Sequence, residues 1–192
     1  MTGNDIVDIA VAAAESNWRR KGFLEKIFTP QEQLYINNAA LPNEMVWKLW
    51  TMKESAYKIY QQQYGGRFFA PQKFSSILLS ATTGHVMFNS ISYQTITTSE
   101  KKYIYTIASL KEFANTELLS SCFYLPQMEY CKQQLFIYKK IVDRYTRLAG
   151  QRREDISVVK DKNGIPFLHC FNNVMVPISI THHGQFAAFT IN

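Results

Sequence analysis

Trp47-Lys48-Leu49-Trp50-Thr51-Met52-Lys53-Glu54-Ser55-Ala56-Tyr57-Lys58 is the stretch on which the reading of the fold turns. Val46, Leu49, Trp50, Tyr57 and Tyr60 recur at helical spacing, which predicts a helix from about Glu44 to Gln63 that Gly65-Gly66 ends. On that helix Glu54 lies one turn before Lys58 and on the side of Trp47 and Trp50. One reading is an i,i+4 surface pair, worth under ~1 kcal/mol. The other is a carboxylate set among aromatic rings that needs a strong counter-charge. Magnesium would supply it, since that ion takes one or two carboxylates and shares its other positions with water and phosphate.

Upstream of this helix, residues 3–9 read as a short strand running into the alanine-rich stretch Ala10–Glu15. Asp5 and Asp8 interrupt its apolar residues, and a carboxylate there must be hydrogen-bonded, paired or bound to a cation. Capping of the following helix is the simpler use for one of them. Thr29-Pro30-Gln31-Glu32 has the form of a capping box with proline in the first turn, so it predicts another helix start.

Downstream the period changes from helical to alternating. Ser76–Leu79, a turn at Thr83-Gly84 and Val86–Phe88 read as a hairpin, and Tyr103–Ala108 as a further strand. Residues 112–130 are mixed and hold Pro126, the expected linker. A helix is predicted from Tyr130 to Leu148, closed by Gly150. Asp155–Val159, the turn Lys162-Asn163-Gly164, Phe167–Cys170, Val174–Thr181 and Phe186–Ile191 complete the strands. Ile77, Gly84 and Tyr105-Thr106-Ile107 parallel Ile156, Gly164 and Phe189-Thr190-Ile191 at an offset of roughly 80 residues, as a duplicated unit would.

The last strand pair ends on Ile178-Ser179-Ile180-Thr181-His182-His183-Gly184. Alternation puts His182 in register with Val174, Val176, Ile178 and Ile180, and Thr181 and His183 on the opposite face. His182 reads as a structural histidine or as a phosphate contact in a His-Gly turn.

Composition narrows the classes. The 192 residues are 46% hydrophobic, enough for one sizeable domain or two small fused halves. Only 19% are charged, too few for a disordered chain. No apolar run is long enough for a membrane-spanning helix, and the start of the chain does not read as a secretory signal. Cys122, Cys131 and Cys170 lack disulfide or zinc spacing, which suggests a reducing, cytoplasmic setting. A net charge of +6 favours an acidic partner or a polyphosphate.

Gly3-x-Asp5-Ile6-Val7-Asp8, followed about 45 residues later by Trp50-Thr51-Met52-Lys53-Glu54-Ser55-Ala56-Tyr57-Lys58, resembles the paired signature of the 4'-phosphopantetheinyl transferase superfamily. Gly164-x-Pro166 and Thr181-His182 look like the family's G-K-P and S-H elements. The resemblance implies an α+β fold, a pseudo-dimer of two similar halves with antiparallel sheets. It also implies transfer of phosphopantetheine from coenzyme A to a serine of an acidic acyl or peptidyl carrier protein. By position, Asp5 and Glu54 would hold magnesium, with Asp8 a further candidate. Glu54, Lys58 and Asp5 would be the catalytic group. Lys53, Thr181, His182, Gly164 and Pro166 would bind coenzyme A.

The chain departs from the pattern in three ways. Val7 stands where the surfactin-type enzymes carry a second acid, whereas Asp8 resembles the small holo-acyl-carrier-protein synthases. Ile165 replaces the lysine of G-K-P, leaving Lys160, Lys162, Lys139, Lys140 and Arg144 as candidate substitutes. The elements also stand in permuted order relative to the surfactin type. A metal-binding half at 1–111 and a coenzyme A-closing half at 112–192 follow, with the two chain ends close together. A fused pseudo-dimer would act as a monomer, a small-synthase relative as a trimer. Arg19, Arg20, Lys21 and Phe23 form an expected docking patch for the carrier. A catalytically degenerate coenzyme A- or carrier-binding module is the second reading. A nucleic-acid-binding protein is the third, for which the dispersed basic residues give no motif.

Overall fold

The first strand, β1 (Thr2–Asp8), is buried along its whole length, which explains why its polar residues all have to find partners. The computed structural model describes residues 1–110, 112, 113 and 118–192. After β1 come α1 (Ile9–Glu15), α2 (Phe23–Ile27), α3 (Pro30–Asn37) and the long α4 (Pro42–Tyr64). The chain continues as β2 (Ser75–Leu78), β3 (Thr83–Phe88), β4 (Ile91–Ser99) and β5 (Tyr103–Ser109). The second part has β6 (Leu119–Tyr124), α5 (Tyr130–Ala149), β7 (Ser157–Lys160), β8 (Pro166–Cys170), β9 (Val174–His183) and β10 (Phe186–Ile191).

These strands form two antiparallel five-stranded sheets, ordered β1-β5-β4-β3-β2 and β6-β10-β9-β8-β7. Each is a strand, a long helix and a four-strand meander whose last strand returns beside the first. The duplicated topology aligns β5 with β10, and so Tyr105-Thr106-Ile107 with Phe189-Thr190-Ile191, as the sequence parallel suggests. The fold is α+β with the two-half form expected. The division after residue 111 falls beside a residue outside those described.

α4 covers one face of the first sheet. Val46, Leu49, Met52, Ala56 and Ile59 are fully buried against Val86, Tyr93 and Ile104, and α5 covers the second sheet through Ile137 and Ile141. The remaining faces meet around Ile6, Tyr105, Ile107 and Ala188. Gly3 sets how closely α4 can approach: a Cβ there would run into the Ser55 carbonyl and lie 3.1 Å from the Ile59 side chain. The glycine of Gly-x-Asp is therefore a packing requirement.

The free edge of β1 is sealed by side chains of β9 rather than by another strand. The backbone N–H groups of Asn4, Ile6 and Asp8 donate to Ser179 Oγ (3.1 Å), Thr181 Oγ1 (3.4 Å) and His183 Nδ1 (2.9 Å). Thr2 Oγ1 donates to Thr190 Oγ1 (3.0 Å), so the two ends of the chain meet. Period-2 alternation brings Ser179, Thr181 and His183 to one face of β9, each opposite every second residue of β1. An unsatisfied buried N–H costs about 1–3 kcal/mol, so this seam is a substantial tie between the halves.

Local expectations mostly correspond to these elements, with two corrections. Leu119–Tyr124 lies inside the expected linker yet forms β6, because it pairs with β10. Thr83-Gly84 is not the turn but the start of β3. The turn is made by the preceding residues, where Ser80 Oγ accepts from the N–H groups of Thr82 and Thr83. The capping box at Thr29 and Glu32 forms in full, and Gly150 closes α5 in the left-handed conformation.

Candidate active site

α4 and β1 bring Asp5, Glu54 and Lys58 together beneath the end of β9. Lys58 Nζ donates to Asp5 Oδ1 (3.0 Å) and to the Asn4 carbonyl (2.7 Å). Thr181 Oγ1 donates to the same Asp5 oxygen at 2.9 Å. Asp5 Oδ1 thus has two donors, one from each half, while its Oδ2 has no donor among the described residues.

Glu54 has neither a hydrogen bond nor an ion pair among the described residues. Burial, and then the neighbouring Asp5 carboxylate, push its carboxyl up to about 7, against the opposing pull of Lys58. A partly buried carboxyl without a donor, facing a second carboxylate with a free oxygen, is an arrangement that a divalent cation would relieve. No group of three or more His, Cys, Asp or Glu side chains is placed to hold a metal among the described residues. Two carboxylates with water and phosphate fit magnesium better than an all-protein cage.

Glu54 lines a small cavity of about 30 Å³ with Tyr57, Phe68 and Phe69, and three larger cavities lie around this part of the molecule. One of about 370 Å³ is walled by Phe23, Trp47, Trp50 and Phe69, and has Asp5, Arg20 and His182 on its lining. A second, of about 190 Å³, lies between α5 and the Gly164–Pro166 turn, with Tyr130, Tyr138, Lys160 and His182. A third, of about 260 Å³, lies across that turn and includes Lys58, Arg67 and Asn163. His182 belongs to the first two. Burial, with the charges of Lys58 and His183, lowers its pKa, so the ring is neutral at pH 7 and can donate one N–H.

A profile of the 4'-phosphopantetheinyl transferase superfamily matches residues 1–114, the part that supplies Asp5, Glu54 and Lys58. The chain belongs to that superfamily. Membership gives it a phosphopantetheinyl-transferase-type function, with coenzyme A and a carrier protein as the substrates the superfamily uses. Taken one by one, curated proteins yield no match. No helix among the described residues is long and apolar enough to cross a membrane.

Several expected contributors to this transferase site lie elsewhere. Lys53 points into the interior, where Nζ pairs with Glu32 Oε2 (2.7 Å) and donates to the Pro71 and Phe74 carbonyls. At 1% exposure it is out of reach of a ligand. Glu32 also accepts from the N–H groups of Thr29 and Ser76, so the pair locks α3, α4 and β2 together. Asp8 caps α1 through the N–H groups of Ala10 and Val11, and its Oδ2 accepts from Gln185 N–H at the β9–β10 turn. Both of its oxygens are thus engaged by backbone donors.

Lys139 and Lys140 lie exposed on α5, and Lys140 rests over the Phe136 ring. Arg144 lines a separate groove beside Leu118 and Ile191. None of the three lines the cavities that hold His182 or Gly164. Lys160 does. In the docking patch, Arg20 and Phe23 line the aromatic cavity, whereas Arg19 stacks on Trp18 and donates to Asn43, and Lys21 is exposed. The sequence reading missed Glu32 as the partner of Lys53, Arg67 beside Gly164, and the role of Ser179 and His183 in sealing β1.

Proposed function

We propose that the chain transfers the 4'-phosphopantetheine arm of coenzyme A to the serine of an apo carrier protein and releases 3',5'-ADP. The observation that carries this reading is the Asp5–Glu54–Lys58 group, held at the seam by Thr181, with Asp5 and Lys58 each lining one of the larger cavities beside it. Asp5 Oδ2 and Glu54 would hold magnesium, which when bound neutralises pyrophosphate charge. Asp8 is left to its cap and Lys53 to its ion pair.

The serine oxygen attacks the phosphorus that bears pantetheine, and the bond from that phosphorus to the bridging pyrophosphate oxygen breaks. The serine proton passes to Glu54, directly or through one water, and the electron pair leaves on the bridging oxygen of 3',5'-ADP. Lys58 stabilises the charge on that leaving oxygen. His182 donates to a phosphate from the Gly164–Pro166 side, and Thr181 orients Asp5. The aromatic cavity receives the serine-bearing face of an acidic carrier, with Arg20 on its rim. The three cysteines are free, and we place the enzyme in the cytoplasm as a monomer.

Asp5→Asn tests the assignment, because it keeps the shape and removes the charge. Transfer should fall at least about 100-fold, while calorimetric binding of 3',5'-ADP without metal changes little. Transfer at the unaltered rate would remove Asp5 from the mechanism. A chain that binds coenzyme A but never modifies any of several carriers would be the degenerate binding module instead.

A further inference from the structure

The cavity on the α4 side of the Gly164–Pro166 turn answers what stands in for the cation lost at Ile165. Its lining carries Lys58, Gln61, Gln62, Arg67, Asn163 and Ser179 among its polar residues, and no carboxylate. Arg67 comes from the first half, just past the end of α4, where Gly65 and Gly66 take positive φ (66° and 75°) and redirect the chain. Its guanidinium rests against the second half: a Cβ on Gly164 would lie 3.3 Å from Arg67 Nη2. The two loops also touch at Gly65, where a Cβ would lie 3.1 Å from Asn163 Nδ2.

Arg67 enters no ion pair or hydrogen bond among the described residues. An arginine without a carboxylate, beside Lys58 and several amide groups in a recess between halves, is set up for an anion. A planar guanidinium suits a phosphate, which it can engage through two N–H groups.

We infer that Arg67 forms a phosphate subsite with Asn163 and the Gly164 turn. Through it the first half supplies, from across the seam, the cation that Ile165 does not. The ligand is a phosphate of the nucleotide end of coenzyme A, so the inference rests on the transferase reading above. Because Arg67 and Gly164 belong to different halves, the subsite exists only while the seam holds the two together.

Calorimetric titration of the full chain and of Arg67→Ala with coenzyme A and with dephospho-coenzyme A, which lacks the ribose phosphate, tests it. Arg67 is exposed, so the variant should fold, and an unchanged melting temperature verifies this. Arg67→Ala should bind coenzyme A about tenfold more weakly, the worth of one charge-assisted contact. Arg67→Lys should recover part of the loss. Loss confined to coenzyme A identifies the ribose phosphate as the ligand, and equal loss for both compounds identifies the pyrophosphate; either supports the subsite. Unchanged affinity for both in Arg67→Ala overturns the subsite while leaving the transferase reading intact. Failure of the unaltered chain to bind coenzyme A at all overturns both.

Discussion

Glu54 bears a carboxyl whose surroundings oppose its ionised form. Its folded pKa, about 7, lies above that of an unfolded glutamate, so the folded state binds the extra proton between roughly pH 4.5 and 7. Stability from this group is therefore lost as pH rises through that window, by roughly 3 kcal/mol in all. Glu54→Gln should raise the melting temperature at pH 8 and leave it nearly unchanged at pH 4, while transfer is lost; equal shifts at both pH values would contradict the assignment. Magnesium affinity of the unaltered chain should rise from pH 6 to 8 as the carboxyl ionises. Lys53 illustrates the opposite case. Burial lowers its pKa and Glu32 offsets this only in part, so the pair stands or falls together. Lys53→Met should destabilise by about 3–5 kcal/mol through the uncompensated Glu32 charge, and adding Glu32→Gln, which removes the charge but keeps an acceptor for the Thr29 and Ser76 N–H groups, should recover part of it in a denaturant titration. The sequence showed that Lys53 and Glu54 are neighbours. It could not show that the helix sends one to the core and the other to the site, because the partner Glu32 already had a complete local explanation as a cap.

Among the elements, β1 and α4 were readable because their signals are local: alternation, apolar spacing and terminal glycines. β6 was not, since Leu-Ser-Ser-Cys-Phe-Tyr has weak alternation and becomes a strand only through its register with β10. The β3 turn was misplaced for a related reason. Gly84 looks like a turn glycine but serves close packing, with a Cβ there lying 2.8 Å from the Met52 side chain. Gly3 plays the same part between β1 and α4. Gly3→Ala should destabilise by about 1–3 kcal/mol through overpacking, and by displacing α4 from β1 should lower transfer as well. A melting temperature within 1 °C of the parent (about 0.3–0.5 kcal/mol) would show that the helix yields at little cost. The Asp8 cap, legible as an alternative in the sequence, ties α1 to the β9–β10 turn only in three dimensions.

At the scale of the whole molecule, the two halves repeat one topology and meet along a seam of side-chain-to-backbone bonds, with the candidate site built across it. A fused pair of this kind has no need of further copies, and sedimentation should give a monomer. Charge reversal of Arg19 and Arg20 should raise the carrier-protein KM about tenfold by weakening steering and leave coenzyme A binding unchanged; equal effects on both would remove the docking role. The chemistry itself is read most directly by mass. After incubation with coenzyme A, magnesium and an apo carrier protein, the carrier should gain one phosphopantetheine arm on its serine, and chelation of the metal should stop the gain. Carriers that stay unmodified although the chain binds coenzyme A and magnesium would contradict a transferase site at Asp5, Glu54 and Lys58.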